Sequence, residues 1–182
     1  MPVSIRPWKL SDAADLADAM NNLKVQDNLR DGIPWPYTEK DALSYLSGIM
    51  VSDKDSEYAF AITYDGKVIG SIAVSRLTNV HKLTAEMGYF IAEPFWGRGI
   101  TTEAVGQVCA YVFDHSDILR IFAEPYDYNI ASCRVLEKSC FRLEGVLRQN
   151  AIKNGRILDM RMYSMLKSEF RAPLAADEKR GI

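Results

Sequence analysis

The chain has 182 residues, of which 48% are hydrophobic and 25% are charged, and its formal net charge is −2. This length fits one domain with a sizeable core, and the balanced charge gives no sign of nucleic acid or an anionic membrane as a partner. The N-terminus lacks an apolar signal core and no run is long enough to cross a membrane, so we expect a cytoplasmic protein.

The first third of the chain predicts one strand and two helices. Val3–Lys9 is typical of a short strand, and Ser11–Asp12 can cap a helix whose apolar residues recur at helical spacing through Lys24. Asn28–Tyr37 holds one glycine and two prolines, so we expect a loop there. Thr38 is the expected N-cap of the second helix.

The middle of the chain predicts three strands. Glu57–Tyr64 alternates between apolar and polar residues, and the pair Asp65-Gly66 is typical of a two-residue hairpin turn. The return strand follows, with Val68, Ile72 and Val74 on one face. Thr84–Ile91 alternates in the same way and predicts a further strand.

The last third predicts two helices and three strands. The helices are Ile100–His115 and a segment that Asn129 caps and that runs to about Ser139. Between them, Leu119–Glu124 is typical of a short buried strand. Phe141–Arg148 and Gly155–Leu166 predict a closing hairpin.

This order predicts a single mixed α/β domain over residues 1–168, followed by a charged tail over residues 169–182. The antiparallel hairpins argue against a purely parallel, doubly wound sheet. Three cysteines without C-x-x-C spacing form neither a disulfide framework nor a zinc pattern, and we expect no metal site.

The stretch WGRGITT lies where an apolar strand passes into a helix. Gly97 and Gly99 leave the backbone bare at the helix start, where unpaired N–H groups and the helix dipole favour an anion. Arg98 adds a cation, and Thr101 and Thr102 add hydroxyl donors. The segment suits a pyrophosphate, although a plain strand-to-helix turn explains the spacing equally well.

Two stretches, "MGYFIAEPFWGRGITTEA" and "YNIASCRVLEKSCF", resemble the GNAT acyltransferase superfamily, in particular its branch of ribosomal-protein N-terminal acetyltransferases. "PYTEKDA" and "LEGVLRQNAIKNGRILDMRMYSML" extend this resemblance over nearly the whole chain. It implies the GNAT fold: a mixed, mostly antiparallel twisted sheet of six to seven strands, flanked by about four helices and splayed between its central strands. It also implies acetyl-CoA as the cofactor, and a homodimer is a family-level expectation.

The resemblance implies a set of cofactor-binding residues. Trp96 stands where the family's pyrophosphate signature usually has Gln or Arg, and Thr101 stands where Gly or Ala is usual. The residues expected to bind the cofactor are Phe90, Ile91, Gly97, Arg98, Gly99, Ile100, Thr101, Thr102, Asn129, Ser132 and Lys138.

Acetyl transfer needs a neutral amine, donors for the oxyanion and a proton for the leaving thiolate. By family position, Ser132 is the candidate for protonating that sulfur, and a hydroxyl bonded within its own helix is the alternative. Glu86 shares a strand face with Gly88 and Phe90 and is the candidate base; a structural carboxylate or a water relay are the alternatives.

The loop at Asn28–Tyr37 is the predicted wall of the acceptor site, with Arg30, Trp35 and Tyr37 as acceptor contacts. Trp35 and Tyr37 are equally plausible as core anchors. Three functions remain open at this stage. The first is acetyl transfer to a primary amine such as a protein N-terminus, the second is acetylation of a small-molecule amine, and the third is a non-catalytic acyl-CoA-binding module.

Overall fold

The computed structural model describes residues 3–53 and 55–171 and contains one seven-stranded sheet. Its spatial order is β1-β2-β3-β4-β5-β7-β6, in which the β4–β5 pair is parallel and the other pairs are antiparallel. This confirms the predicted mixed, mostly antiparallel sheet. The strands are β1 (Val3–Pro7), β2 (Glu57–Tyr64), β3 (Lys67–Arg76), β4 (Thr84–Ile91), β5 (Arg120–Ala123), β6 (Arg142–Lys153) and β7 (Arg156–Leu166).

Helices cover both faces of the sheet. In the described part of the chain, four α-helices have eight residues or more, as predicted, and a fifth, α2, has four residues. The helices are α1 (Ala13–Met20), α2 (Leu23–Gln26), α3 (Glu39–Val51), α4 (Ile100–His115) and α5 (Ile130–Lys138).

The first helical segment is broken where the sequence predicts continuity. Its start is a 3₁₀ turn over Leu10–Asp12, and α1 ends before Asn22. The Asn22 side chain accepts a hydrogen bond from the Lys24 N–H at 2.9 Å and caps α2. Asparagine competes with the helix for backbone donors in this way, which explains the break.

The closing hairpin is longer than predicted. β6 runs to Lys153 because the strand continues past an irregularity between Leu147 and Ala151. Gln149 within it has a φ of +54°, in the left-handed region. An irregularity of this kind interrupts the period-two alternation of the strand. The sequence pattern therefore predicts that the strand ends at Arg148.

Each face of the sheet has its own core. One core packs α4 and α5 onto the sheet and includes the buried Val105, Val108 and Ile72. The other packs α1 and α3, through Leu16 and Leu46, with both side chains almost fully buried. Burying such a side chain contributes about 1.5–3 kcal/mol. The helices on both faces are therefore held apart by the sheet.

The chain beyond β7 stays close to the α4 side for its last described residues. The ring of Phe170 lies 5.5 Å from that of Phe113, and Glu169 pairs with Arg142 at 3.0 Å. Residues 172–182 of the predicted tail lie outside the described part of the chain.

The sheet opens between its two parallel strands, as predicted. β4 and β5 pair only over three positions and part after Glu86 and Phe122. Pro125 follows shortly after β5 and has no N–H to extend the ladder. Residues 87–91 therefore pair with β3 on one side and face the opening on the other.

Candidate active site

A cavity of about 1350 Å³ lies where β4 and β5 separate. Its lining joins the start of α4, the start of α5, the end of β5 and the loop that follows α2. The cavity brings together all of the predicted site residues except Trp35, which is 52% exposed and does not line it. The lining residues among those predictions are Arg30, Tyr37, Glu86, Phe90, Ile91, Gly97, Arg98, Gly99, Ile100, Thr101, Thr102, Asn129, Ser132 and Lys138.

The start of α4 offers backbone donors to the cavity. Gly97 and Gly99 have φ values of +74° and +78°, in the region that favours glycine. Gly99 is the N-cap, no side chain caps the helix, and the bond from Glu103 N to Gly99 O is its first. The N–H groups of residues 100–102 thus have no partner within the helix, as an anion site requires.

This half of the cavity is cationic. The lining residues within 95–102 and 129–138 include Arg98, Arg134 and Lys138 and no carboxylate. The Arg98 guanidinium lies 5.6 Å from the centre of the Phe95 ring. Because three cations line the same half of the cavity as the free N–H groups, the site is suited to a highly charged anion.

Trp96, which departs from the family signature, has a structural contact. Its indole Nε1 donates to the Ile91 carbonyl at 2.8 Å. This bond joins the glycine turn to the end of β4. It therefore fixes the position of the turn relative to the open edge of the strand.

Ser132 lies at the first turn of α5 and faces β4. Its backbone N–H donates to the Asn129 side chain at 3.1 Å, so Asn129 both caps α5 and lines the cavity. The Ser132 hydroxyl is 2.8 Å from the Tyr89 hydroxyl rather than bonded within its own helix. Tyr89 is a site residue that the sequence analysis missed, although it alternates with Met87 and Ile91 on β4. Burial raises the pKa of Tyr89, so it stays protonated at neutral pH.

The opposite half of the cavity contains an ionic cluster of Arg30, Glu86 and Glu124. Arg30 pairs with Glu86, and its Nη2 lies 3.9 Å from Glu124 Oε2. Glu124 directly follows β5, and its side chain is only 17% exposed. Burial raises the pKa of Glu124 and the charge of Glu86 adds to this, whereas Arg30 opposes it.

Glu124 is the second residue that sequence reasoning missed. The available signal was a carboxylate at the end of a buried strand, directly before Pro125. Nothing local in the sequence pairs it with Glu86, since the two glutamates lie more than thirty residues apart in the chain. Their proximity follows from the parallel pairing of the two strands, which places Glu86 beside Phe122.

The loop that contains Arg30 is held against the rest of the cavity wall. Tyr126 donates to the Leu29 carbonyl at 3.3 Å, and Lys153 pairs with Asp31 at 2.8 Å. Tyr37 ends the same loop, lines the cavity and is 8% exposed, so it is both a wall residue and a core anchor. These contacts fix the position from which Arg30 reaches Glu86.

Within residues 3–53 and 55–171, no group of three or more His, Cys, Asp or Glu side chains could hold a metal ion. In the same described ranges, no helix combines the length and apolar character needed to cross a membrane.

The chain is similar in sequence to a known protein family and to individual proteins. The family described as the acetyltransferase (GNAT) domain matches residues 3–142. "Probable N-acetyltransferase YjcK" of Bacillus subtilis is 36% identical over 119 residues, which cover 64% of this chain and 66% of that protein. The chain thus spans just under two thirds of that relative.

Two further comparisons extend over more of the chain. The "Ribosomal-protein-serine acetyltransferase" of Escherichia coli is 26% identical over 142 residues, which cover 76% of this chain and 79% of that protein. The structure of Mycobacterium smegmatis RimJ in complex with CoA-disulfide has a TM-score of 0.82, with 23% identity over 98% of this chain and 84% of that chain. The second likeness concerns the fold.

Proposed function

The chain belongs to the GNAT acetyltransferase family, and from that premise we propose that it transfers the acetyl group of acetyl-CoA to the α-amine of a protein N-terminus. The observation that carries the proposal is the uncapped start of α4 beside the open edge of β4. One half of the cavity suits a pyrophosphate, and the other half presents a half-buried carboxylate, Glu124, to an amine.

The residues of the cavity fit acetyl-CoA. The N–H groups of residues 100–102 and the cations Arg98, Arg134 and Lys138 would hold its phosphates. The open edge of β4 at Phe90 and Ile91 would lie along its pantetheine arm, where the Ile91 carbonyl already accepts from Trp96 Nε1 and the Ile91 N–H faces the opening. When bound, acetyl-CoA supplies a thioester that an amine can attack.

Glu124 is the general base in this proposal. An α-amine has a pKa near 8 and lysine near 10.4, so freeing the α-amine at pH 7.5 costs under about 1 kcal/mol, against about 4 kcal/mol for lysine. A half-buried carboxylate with a raised pKa is suited to accept the proton that an α-amine must lose before it attacks. Glu86, the base predicted from sequence, holds Arg30 in this arrangement and remains the second candidate.

Ser132 is the proposed donor to the departing sulfur. The Tyr89 hydroxyl lies 2.8 Å from the Ser132 hydroxyl and 3.3 Å from the Ser132 carbonyl; when Tyr89 donates to the hydroxyl, the Ser132 proton is free to point into the cavity. Tyr89 is in this view a positioning residue. Backbone N–H groups at the open edge of β4 are the proposed oxyanion donors.

The acceptor class rests on the chemistry of the cluster and on the named relatives. A weak base with a neighbouring arginine is matched to an α-amine rather than to a lysine side chain. The similarity to a ribosomal-protein acetyltransferase supports the same choice. In the cell, the acceptor would be a protein with an exposed N-terminal segment that is long enough to enter the cavity.

The test is a set of acceptors offered with acetyl-CoA, with release of free thiol as the readout. The set comprises a peptide with a free N-terminus, the same peptide with a blocked N-terminus and an internal lysine, and several small amines. We expect turnover of the first peptide, with mass spectrometry locating the acetyl group on its α-nitrogen. Turnover confined to lysine side chains or to small amines would contradict the proposal.

A further inference from the structure

The cavity continues as a groove between α3 and the sheet. α3 packs chiefly against α1, and its inner face and the strands form the two walls. Hydroxyl-bearing and small residues line this part of the cavity. On α3 they are Ser44, Tyr45 and Gly48, and on the sheet they are Ser71, Ala73, Ser75 and Gly88.

Several residues that line the groove are small, whereas the Tyr45 side chain reaches from α3 to Ser71 on the sheet. Gly48 and Gly88 each face open space, since a Cβ at either position would meet no heavy atom within 4 Å. Gly88 pairs directly with Ala73 on the neighbouring strand, so the floor has no large side chain at this level. The free volume is suited to a chain that continues beyond the reacting amine.

A row of polar residues crosses the floor of the groove. Glu57 pairs with Ser75, and Ser75 pairs with Glu86, so the three side chains lie on one face of the sheet. Neighbouring strands are about 4.8 Å apart, which puts the backbones of Glu57 and Glu86 about 10 Å from each other. Glu57 lines the cavity, and among residues 3–53 and 55–171 it has no ion-pair partner.

The charge of this half of the cavity is the reverse of the cofactor half. The described residues that line it include one cation, Arg30, and five carboxylates: Asp31, Asp41, Glu57, Glu86 and Glu124. The Asp41 carboxylate accepts a hydrogen bond from the N–H of Thr38, the N-cap of α3, and Asp31 pairs with Lys153. Glu57 is therefore the carboxylate at the far end of the groove that is available to a ligand.

We propose that this groove binds the acceptor beyond its reacting amine, and that Glu57 selects acceptors with a second positive charge at least about 10 Å from the reacting nitrogen, which lies on the Glu86 and Glu124 side of the groove. The inference rests on the proposed function and names its substrate class. Lysine or arginine at the second or third position of a protein N-terminus places a charge at about this distance. A linear polyamine has the same chemistry, so the experiment separates the two sources.

The experiment compares three peptides that differ at the second residue: Ser-Lys, Ser-norleucine and Ser-Glu, each followed by the same neutral segment. Both kcat/KM and the affinity in the presence of coenzyme A are measured. We expect a preference of about tenfold for lysine over norleucine, since a charged hydrogen bond in a partly buried site has that effect. In Glu57→Gln this preference falls to about twofold or less.

Asp55→Asn is the matched control, because Asp55 lies two residues before Glu57 and outside the groove. It removes the same charge, and we expect it to retain the preference for lysine. A diamine of similar charge spacing forms the second arm. If the diamine is preferred over the lysine peptide, the groove inference is supported and the N-terminal acceptor is contradicted.

Gly88→Leu tests the groove sterically. Gly88 lies in β4 without a positive φ, so a side chain is compatible with the strand and fills the groove. We expect the peptide affinity to fall more than tenfold while the affinity for coenzyme A is unchanged. Equal affinity of the native protein for all three peptides would overturn the inference. Charge-selective binding without acetyl transfer would instead overturn the proposed function.

Discussion

The two halves of the cavity are built by different means. The anion site of the cofactor half is formed mainly by backbone groups from one short stretch, with Gly97, Gly99 and the start of α4 adjacent in the chain. The acceptor half is formed by side chains from separate elements, with Arg30, Glu86 and Glu124 meeting only in the folded sheet. A site made of local backbone can be predicted from sequence, whereas a site made of distant side chains needs the topology.

We expect the largest effect from a change of the backbone in the cofactor half, which should lower the affinity for coenzyme A. Gly99→Val places a branched side chain at φ +78° and beside the free N–H groups of α4. The left-handed conformation costs a non-glycine residue about 1–2 kcal/mol, and the side chain also blocks access to the donors. We expect the affinity for coenzyme A, measured by titration calorimetry, to fall at least about 100-fold, since close to 3 kcal/mol is lost.

Gly66→Val is the control for backbone strain. Gly66 lies in the β2–β3 turn with a nearly equal φ of +77° and is distant from the start of α4 in the chain. We expect a comparable loss of stability and unchanged affinity for coenzyme A. Equal loss of affinity in both variants would mean that strain alone, and not the helix start, explains the effect.

In the acceptor half, we expect the largest loss of activity when Glu124 is replaced. Glu124→Gln keeps the shape of the side chain and removes its ability to take a proton, so we expect kcat/KM to fall about 100-fold at pH 7. The deficit should narrow at higher pH, where the amine loses its proton unaided. Glu39→Gln, at the exposed start of α3, is the matched control. An unchanged rate in Glu124→Gln would transfer the role to Glu86 or to water.

Much of the fold could be predicted from patterns within single segments. The boundaries of β2, β4 and α4 agree with the sequence analysis residue for residue, because alternation, helical spacing and a glycine turn mark their ends. The breaks at Asn22 and Gln149 could not be predicted, since each depends on a side-chain cap or an irregularity in strand pairing.

The site shows the same division. Every residue predicted to bind the cofactor lines the cavity, because those residues follow one another along two short motifs. Tyr89 and Glu124 were missed, because their partners are Ser132 on another helix and Glu86 on another strand. Trp35 was assigned to the acceptor wall by its place in the loop, and it lies outside the lining.

The boundary between the halves can be tested at Ser132 and Tyr89. We expect Ser132→Ala to lower kcat about tenfold and Tyr89→Phe about threefold, with little change in the KM for acetyl-CoA. If Tyr89 acts by positioning Ser132, the double variant should be no slower than Ser132→Ala alone. Tyr111→Phe, on the partly exposed face of α4, is the control. Additive losses would indicate a separate structural role for Tyr89.

The smallest expected effect is a movement of the pH profile. Arg30 lowers the pKa of Glu124 and Glu86 raises it, so their removal should act in opposite directions. Arg30→Gln moves the acidic limb of kcat/KM to higher pH, and Glu86→Gln moves it to lower pH, because this limb reports the base of the free enzyme. If both variants move the acidic limb of kcat/KM in the same direction, Glu124 is not the group whose pKa this limb reports.

The most direct measurement is an NMR titration of the labelled protein with coenzyme A, following each backbone amide. The account predicts saturable shifts that are largest at Ile100, Thr101 and Thr102 and that extend to Phe90 and Ile91 on β4. Saturable binding that leaves these amides unmoved would contradict it, and so would no binding at millimolar coenzyme A.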